Sequence, residues 1–162
     1  MAASDDNLRE ALTKHKMGLQ SNRHAQIWRA IACSLAGAGG ALVLIEQHNN
    51  KIVRLSETMQ KTRKKDFPYL SGPKIFNYWL YVMESYCGVT WRDRDEISVA
   101  LDTHILQASV RLGLISEEVL DGSAQSRERV AQAWRDLLAG TELSPIDAHT
   151  PTWLWSRGGF RE

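Results

Sequence analysis

Apolar residues recur with helical spacing along almost the whole chain, and no stretch alternates with period two for long. A first amphipathic helix is predicted over residues 8–19, led in by Asp5 and Asp6. A second starts at a Ser21 or Asn22 cap and carries Ile27, Ile31 and Leu35. Gly37, Gly39 and Gly40 then break the pattern. Residues 42–48 and 52–64 read as one interrupted helix or two, ending before Pro68. The next helix spans about 73–86, with Ile75, Trp79, Leu80, Val82 and Met83 on its apolar side. A polar loop at 90–95 precedes a helix built on Ile105, Leu106, Val110 and Leu112. A short turn is expected at 117–120 and an amphipathic helix over 127–138, using Val130, Trp134, Leu137 and Leu138. The last helix begins near Pro145 and stops at Gly158 and Gly159. The pattern therefore predicts an all-α fold, a compact helical domain over 1–162.

Composition narrows the picture. With 162 residues, 43% hydrophobic and 24% charged, the chain can bury one substantial core. Its net charge is only +1, so a nucleic-acid binder of this balance must cluster its cations. The cluster present is Lys61, Arg63, Lys64 and Lys65, which reads either as a phosphate contact or as a solvated helix face. Cys33 and Cys87 are too few for a disulfide framework or metal knuckle and are expected to be buried thiols. Residues 1–7 are polar and acidic, unlike a signal peptide. The longest apolar run, 31–45, is glycine-broken and too short for a membrane span. These features predict a soluble, cytoplasmic protein without a membrane partner.

Two superficially attractive signals carry little. The run 36–41, Ala-Gly-Ala-Gly-Gly-Ala, lacks both the following lysine–serine pair and the preceding strand of a phosphate loop. Asp102 and His104 resemble half a metal site, but His15, His24, His48 and His149 have no spacing that completes it. No metal and no cofactor are predicted, and His104 is expected to make a structural hydrogen bond.

The chemistry concentrates in one lysine and one aspartate. Gly72 and Pro73 form a tight turn, and Pro73 suits the first position of a new helix, which places Lys74 in that helix's first turn. There the positive end of the helix dipole disfavours an ammonium and favours the neutral amine that a nucleophile needs. Asp102 stands just ahead of the apolar run of its own helix, at an N-cap position. An amine and a carboxylate so placed are the parts needed to cleave an N-glycosidic bond through a Schiff base.

Three stretches carry a resemblance. They are 67–74, Phe-Pro-Tyr-Leu-Ser-Gly-Pro-Lys; 101–106, Leu-Asp-Thr-His-Ile-Leu; and 143–147, Leu-Ser-Pro-Ile-Asp, continuing to 153–158, Trp-Leu-Trp-Ser-Arg-Gly. In content and order they resemble the helix-hairpin-helix DNA glycosylases, and within them the compact archaeal-type 8-oxoguanine glycosylase/lyases. The resemblance covers about 50–162, implies that the compact helical domain contains a helix-hairpin-helix element with 67–74 as its hairpin and following lysine, and leaves the N-terminal helices of 1–49 unaligned.

That resemblance implies a base-excision repair enzyme acting on damaged double-stranded DNA, nucleoid-associated if the source is prokaryotic. Lys74 and Asp102 would be catalytic, and Asp147, Trp153 and Trp155 would recognise the base. Ser71, Gly72 and the cluster Lys61, Arg63, Lys64 and Lys65 would hold phosphate. The rival reading is a non-catalytic helix-hairpin-helix module that binds nucleic acid without a base pocket.

Overall fold

The computed structural model describes residues 5–16, 20–121 and 123–161, and every regular element among them is helical. By their internal contacts the residues fall into two units, Met1–Gly72 and Pro73–Glu162.

In the first unit, α1 (Asp5–Lys14) packs on α2 (Ser21–Gly37), and α2 meets α3 (Ala41–Gln47). The predicted end of α1 runs into residues 17–19, outside the described residues. The cap of α2 is Gln20, without a side-chain bond; the side chains of Ser21 and Asn22 are not described. The apolar stretch from α2 into α3 is broken because Gly39 and Gly40 take φ of 88° and 119°, a region that side chains with a Cβ rarely enter. Among the described residues no single helix is long and apolar enough to cross a membrane. Arg23–Gly37 and Ala41–Gln47 reach that length and composition only as a pair, bent by 56°. Both thiols, expected to be buried, are exposed: Cys33 lies on a largely open stretch of α2 and Cys87 at the last turn of α5 (Pro73–Cys87).

The predicted helix over 52–64 is one element that changes pitch. Helix α4 (Ile52–Ser56) runs on as π-helix through Glu57–Thr62. His48 braces this segment, with Nδ1–H donating to the Leu44 carbonyl (2.8 Å) and Nε2 hydrogen-bonded to Thr58 Oγ1 (2.7 Å). Residues 63–72 continue as successive turns, and a helix-hairpin-helix element is not shown among the described residues.

The second unit holds α5, α6 (Thr103–Arg111), α7 (Ala124–Leu138) and α8 (His149–Arg157). Helix α7 starts three residues earlier than the apolar pattern predicts, because Ser123 Oγ caps it by accepting from the Ser126 N–H at 3.0 Å. Helix α8 starts later, since Pro145 to Ala148 form a turn. Val99, Ile105, Val130 and Trp134 form the core, with Leu101, Leu106, Ala148 and Trp153 among the side chains against it. Helices α6 and α8 are the most extensively packed pair.

A buried polar pair sits in this core. Trp134 Nε1–H donates to Ser109 Oγ at 2.9 Å, and that hydroxyl donates to the Ile105 carbonyl at 2.7 Å. Ser109→Ala leaves the indole N–H buried without an acceptor, so it should cost about 1–3 kcal/mol in urea denaturation. Adding Trp134→Phe removes the orphaned donor and should recover that penalty in part, apart from the packing change.

Candidate active site

Pro73 is the first residue of α5, as its fixed φ and missing N–H favour, and Lys74 is the second. Asp102 is the N-cap of α6, with extended backbone (φ −127°, ψ −177°), and its Oδ1 accepts from the Ile105 N–H at 3.0 Å. The cap leaves Oδ2 free to face the opposite way. Lys74 Nζ lies 3.6 Å from Asp102 Oδ2, with the lysine side chain 48% exposed and the carboxylate 16%. The same Oδ2 accepts from Trp153 Nε1–H at 3.1 Å. The two groups singled out by sequence are thus brought together, although they stand on different helices.

Trp153 is itself held on two sides. His104 meets it edge-on with ring centroids 5.4 Å apart, and the Arg157 guanidinium lies 4.9 Å from its ring. His104 Nδ1 also hydrogen-bonds Ser156 Oγ at 3.2 Å, the structural role expected of it.

A cavity of about 320 Å³ opens beside the pair. Lys74 and Tyr78 line it from α5, His149 and Trp153 from α8, and Ala100 between them. Asp102 is reached through Lys74 and Trp153 rather than standing on the wall itself. The size is at the lower end of small-molecule pockets, roughly 300–1,000 Å³. His149 is 8% exposed, its ring 5.7 Å from that of Tyr78, and its Nδ1 is closed to solvent without a partner. Burial pushes the imidazole below its ordinary value; Asp102 opposes that and the Lys74 cation adds to it.

Sequence reasoning passed over His149, treating it only as a candidate metal ligand. The signal was in the spacing: Lys74 and Tyr78 are four residues apart on α5, and His149 and Trp153 are four apart on α8. Two helices each present an i, i+4 pair to one cavity. Among the described residues no group of three or more His, Cys, Asp or Glu converges as a metal site would.

The other expected base-recognition residues stand elsewhere. Asp147 does not line the cavity. Its Oδ1 and Oδ2 accept from Arg94 at 2.8 and 3.1 Å, and Oδ2 accepts from the Ser144 N–H and hydroxyl at 2.8 and 2.9 Å. Arg94 also pairs with Glu84 at 2.8 Å. The carboxylate is spent on fixing the turn that ends where α8 begins. Trp155 packs edge-on against Phe160, ring centroids 4.8 Å apart, and is likewise outside the lining.

The phosphate-binding residues are divided. The Ser71 N–H donates to the Phe67 carbonyl at 2.9 Å and the Gly72 N–H to the Tyr69 carbonyl at 3.0 Å, so both expected donors are used inside the turn. Lys61 pairs with Glu57 at 2.6 Å, and Arg63 pairs with Asp66 at 2.8 Å while lying over the Phe67 ring. Lys64 and Lys65 are exposed and have no ion-pair partner among the described residues.

Compared with protein-family models, curated protein sequences and solved structures, the chain matches none of them.

The Arg94 pair, first, and the Ser144 bonds hold the Asp147 carboxyl at about 2, against an ordinary 3.8, with burial opposing; Arg94 is raised in return. A carboxyl lowered by folding stabilises the fold fully above its ordinary value and loses that contribution as pH falls toward the lowered one. Arg94→Met should therefore be less stable than wild type at neutral pH. The difference should shrink as pH falls from about 4 to 2, read by thermal unfolding across that window.

Proposed function

We propose that this protein is a DNA glycosylase and abasic-site lyase that excises an oxidised purine, 8-oxoguanine being the substrate that the resemblance implies. The observation that carries the reading is the 3.6 Å approach of Lys74 Nζ to Asp102 Oδ2 beside a cavity, each group held at the start of a helix. A non-catalytic binder has use for a cation near phosphate but none for a matched carboxylate. The three motif stretches that resemble the helix-hairpin-helix glycosylases support the same reading.

The steps follow from these residues. A stacked base hides its sugar carbon from a protein amine, so the damaged nucleotide is turned out of the helix into the cavity. Lys74 sheds a proton toward Asp102 and attacks C1′ of the sugar. The C1′–N9 bond breaks, and its electron pair leaves with the base, which takes up a proton. Asp102 stabilises the positive charge that develops on the sugar while the bond lengthens. Opening of the sugar ring turns the C1′–Nζ linkage into a protonated imine. That imine acidifies the C2′ proton; its loss expels the 3′ phosphate, and the strand is nicked. Trp153 serves twice, as an indole donor that fixes Oδ2 and as an aromatic wall for the base. Lys64 and Lys65, the cations of the basic cluster without an ion-pair partner among the described residues, supply backbone phosphate contacts.

On an oligonucleotide with a single 8-oxoguanine, wild type should nick the strand and form a borohydride-trapped adduct. Lys74→Gln should abolish both while leaving DNA binding within a few-fold of wild type. Asp102→Asn keeps a capping oxygen for the Ile105 N–H but turns an amide NH2 toward the Trp153 indole N–H, so it should fold with some loss of stability and release base slower by about 10²–10⁴-fold. Nicking retained by Lys74→Gln would move the nucleophile elsewhere. Binding without nicking or adduct in the wild type would favour the nucleic-acid-binding module.

A further inference from the structure

Lys74 and Asp102 are far apart in sequence and stand at the starts of different helices, so their approach depends on what holds α5 against the segment that leads into α6. We propose that Asn77 is a positioning residue for this pair: its amide ties the peptide that carries Lys74 to the segment that delivers Asp102. The inference rests on the reading of Lys74 and Asp102 as the glycosylase pair.

Asn77 lies in α5 one turn beyond Pro73 and is only 9% exposed. Its Nδ2–H donates to the Pro73 carbonyl at 2.8 Å, and its Oδ1 accepts from the Ser98 N–H at 2.8 Å. The Pro73 carbonyl and the Lys74 nitrogen belong to one planar peptide unit, so the first bond grips the plane from which Lys74 springs. The two bonds together fix which way the amide faces, since a backbone carbonyl only accepts and a backbone N–H only donates.

The far end of the tie is the segment from Ile97 to Asp102, which leaves a short helical turn with extended backbone at Ile97 (φ −74°, ψ 106°). Val99 and Ala100 are buried, Ala100 lines the cavity, and Asp102 ends the segment as the cap of α6. Among the described residues, no other hydrogen bond joins the backbone of 98–101 to another element. Ser98 Oγ is itself buried without a partner, so the attachment at this point is through the backbone N–H alone. Apart from packing, Asn77 is therefore what sets the height of this segment against the first turn of α5. Losing the tie lets Asp102 shift relative to Lys74, and misplacing a reacting group by about 1 Å costs on the order of a hundredfold in rate.

The test is single-turnover borohydride trapping on DNA with a pre-formed abasic site, at a temperature below the melting point of every variant. Asn77→Leu keeps a side chain of similar size and removes both bonds. Ser98→Pro leaves Asn77 in place and removes the N–H that it accepts, and Ile97 already has the extended backbone favoured before a proline. At saturating enzyme each variant should form adduct about ten- to a hundredfold more slowly than wild type, with the half-saturating concentration within about threefold and the final yield unchanged. The double variant should be no slower than the slower single variant, because both substitutions remove the same bond. A fold that is merely weakened would instead lower the yield and the melting temperature while the folded fraction reacts at the wild-type rate. That result, or single effects that multiply in the double variant, would overturn the assignment. Failure of the wild type to trap abasic DNA would overturn the glycosylase reading and this inference with it.

Discussion

The Asp102 carboxylate is the hub of the second unit's candidate site. One oxygen closes the start of α6 by accepting the Ile105 N–H; the other takes the Trp153 indole N–H from α8 and faces the Lys74 amine on α5. A single side chain therefore meets groups from three helices beside one cavity. An exposed ion pair contributes little to stability, and Lys74 is half exposed.

Away from the cavity lining, a second carboxylate performs a different task with the same physics. Asp147 is tied by Arg94 and by both polar groups of Ser144, and it fixes the turn ahead of α8. This turn sets the residue at which α8 begins, and the starting point decides which side chains of the helix face inward. Because the helix starts at His149, that residue and Trp153 share the cavity face while Trp155 turns toward Phe160. Two aspartates of similar sequence context thus hold separate roles because one is surrounded by an arginine fork and the other by an amine and an indole.

Much of this was legible in the order of residues. Apolar spacing and punctuation located the helices, and Asp102 declared itself as a cap because it immediately precedes Thr103 and the run from Ile105. Pro73 after Gly72 marked the start of α5 in the same way. Less was legible where side-chain competition decided the outcome. The bonds that occupy Asp147 come from Arg94, distant in sequence, and no local pattern announces them. The start of α8 was placed too early because Pro145 suits a first helical turn as well as the reverse turn it occupies. Ser71 and Gly72 looked like free donors, but the chain bends so that their N–H groups close on Phe67 and Tyr69, with Tyr69 at φ 69°. The thiols were misjudged because apolar neighbours in sequence do not guarantee cover, and both side chains stand exposed.

The central claim is that the amine beside Asp102 is the one that reacts. Its most direct measurement is the site of attachment: incubate wild type with abasic-site DNA, reduce with borohydride, digest, and sequence the cross-linked peptide by mass spectrometry. The account predicts a single adduct on the peptide carrying Lys74. An adduct spread over Lys61, Lys64 and Lys65, or placed on the N-terminal amine with Lys74 unmodified, would contradict it.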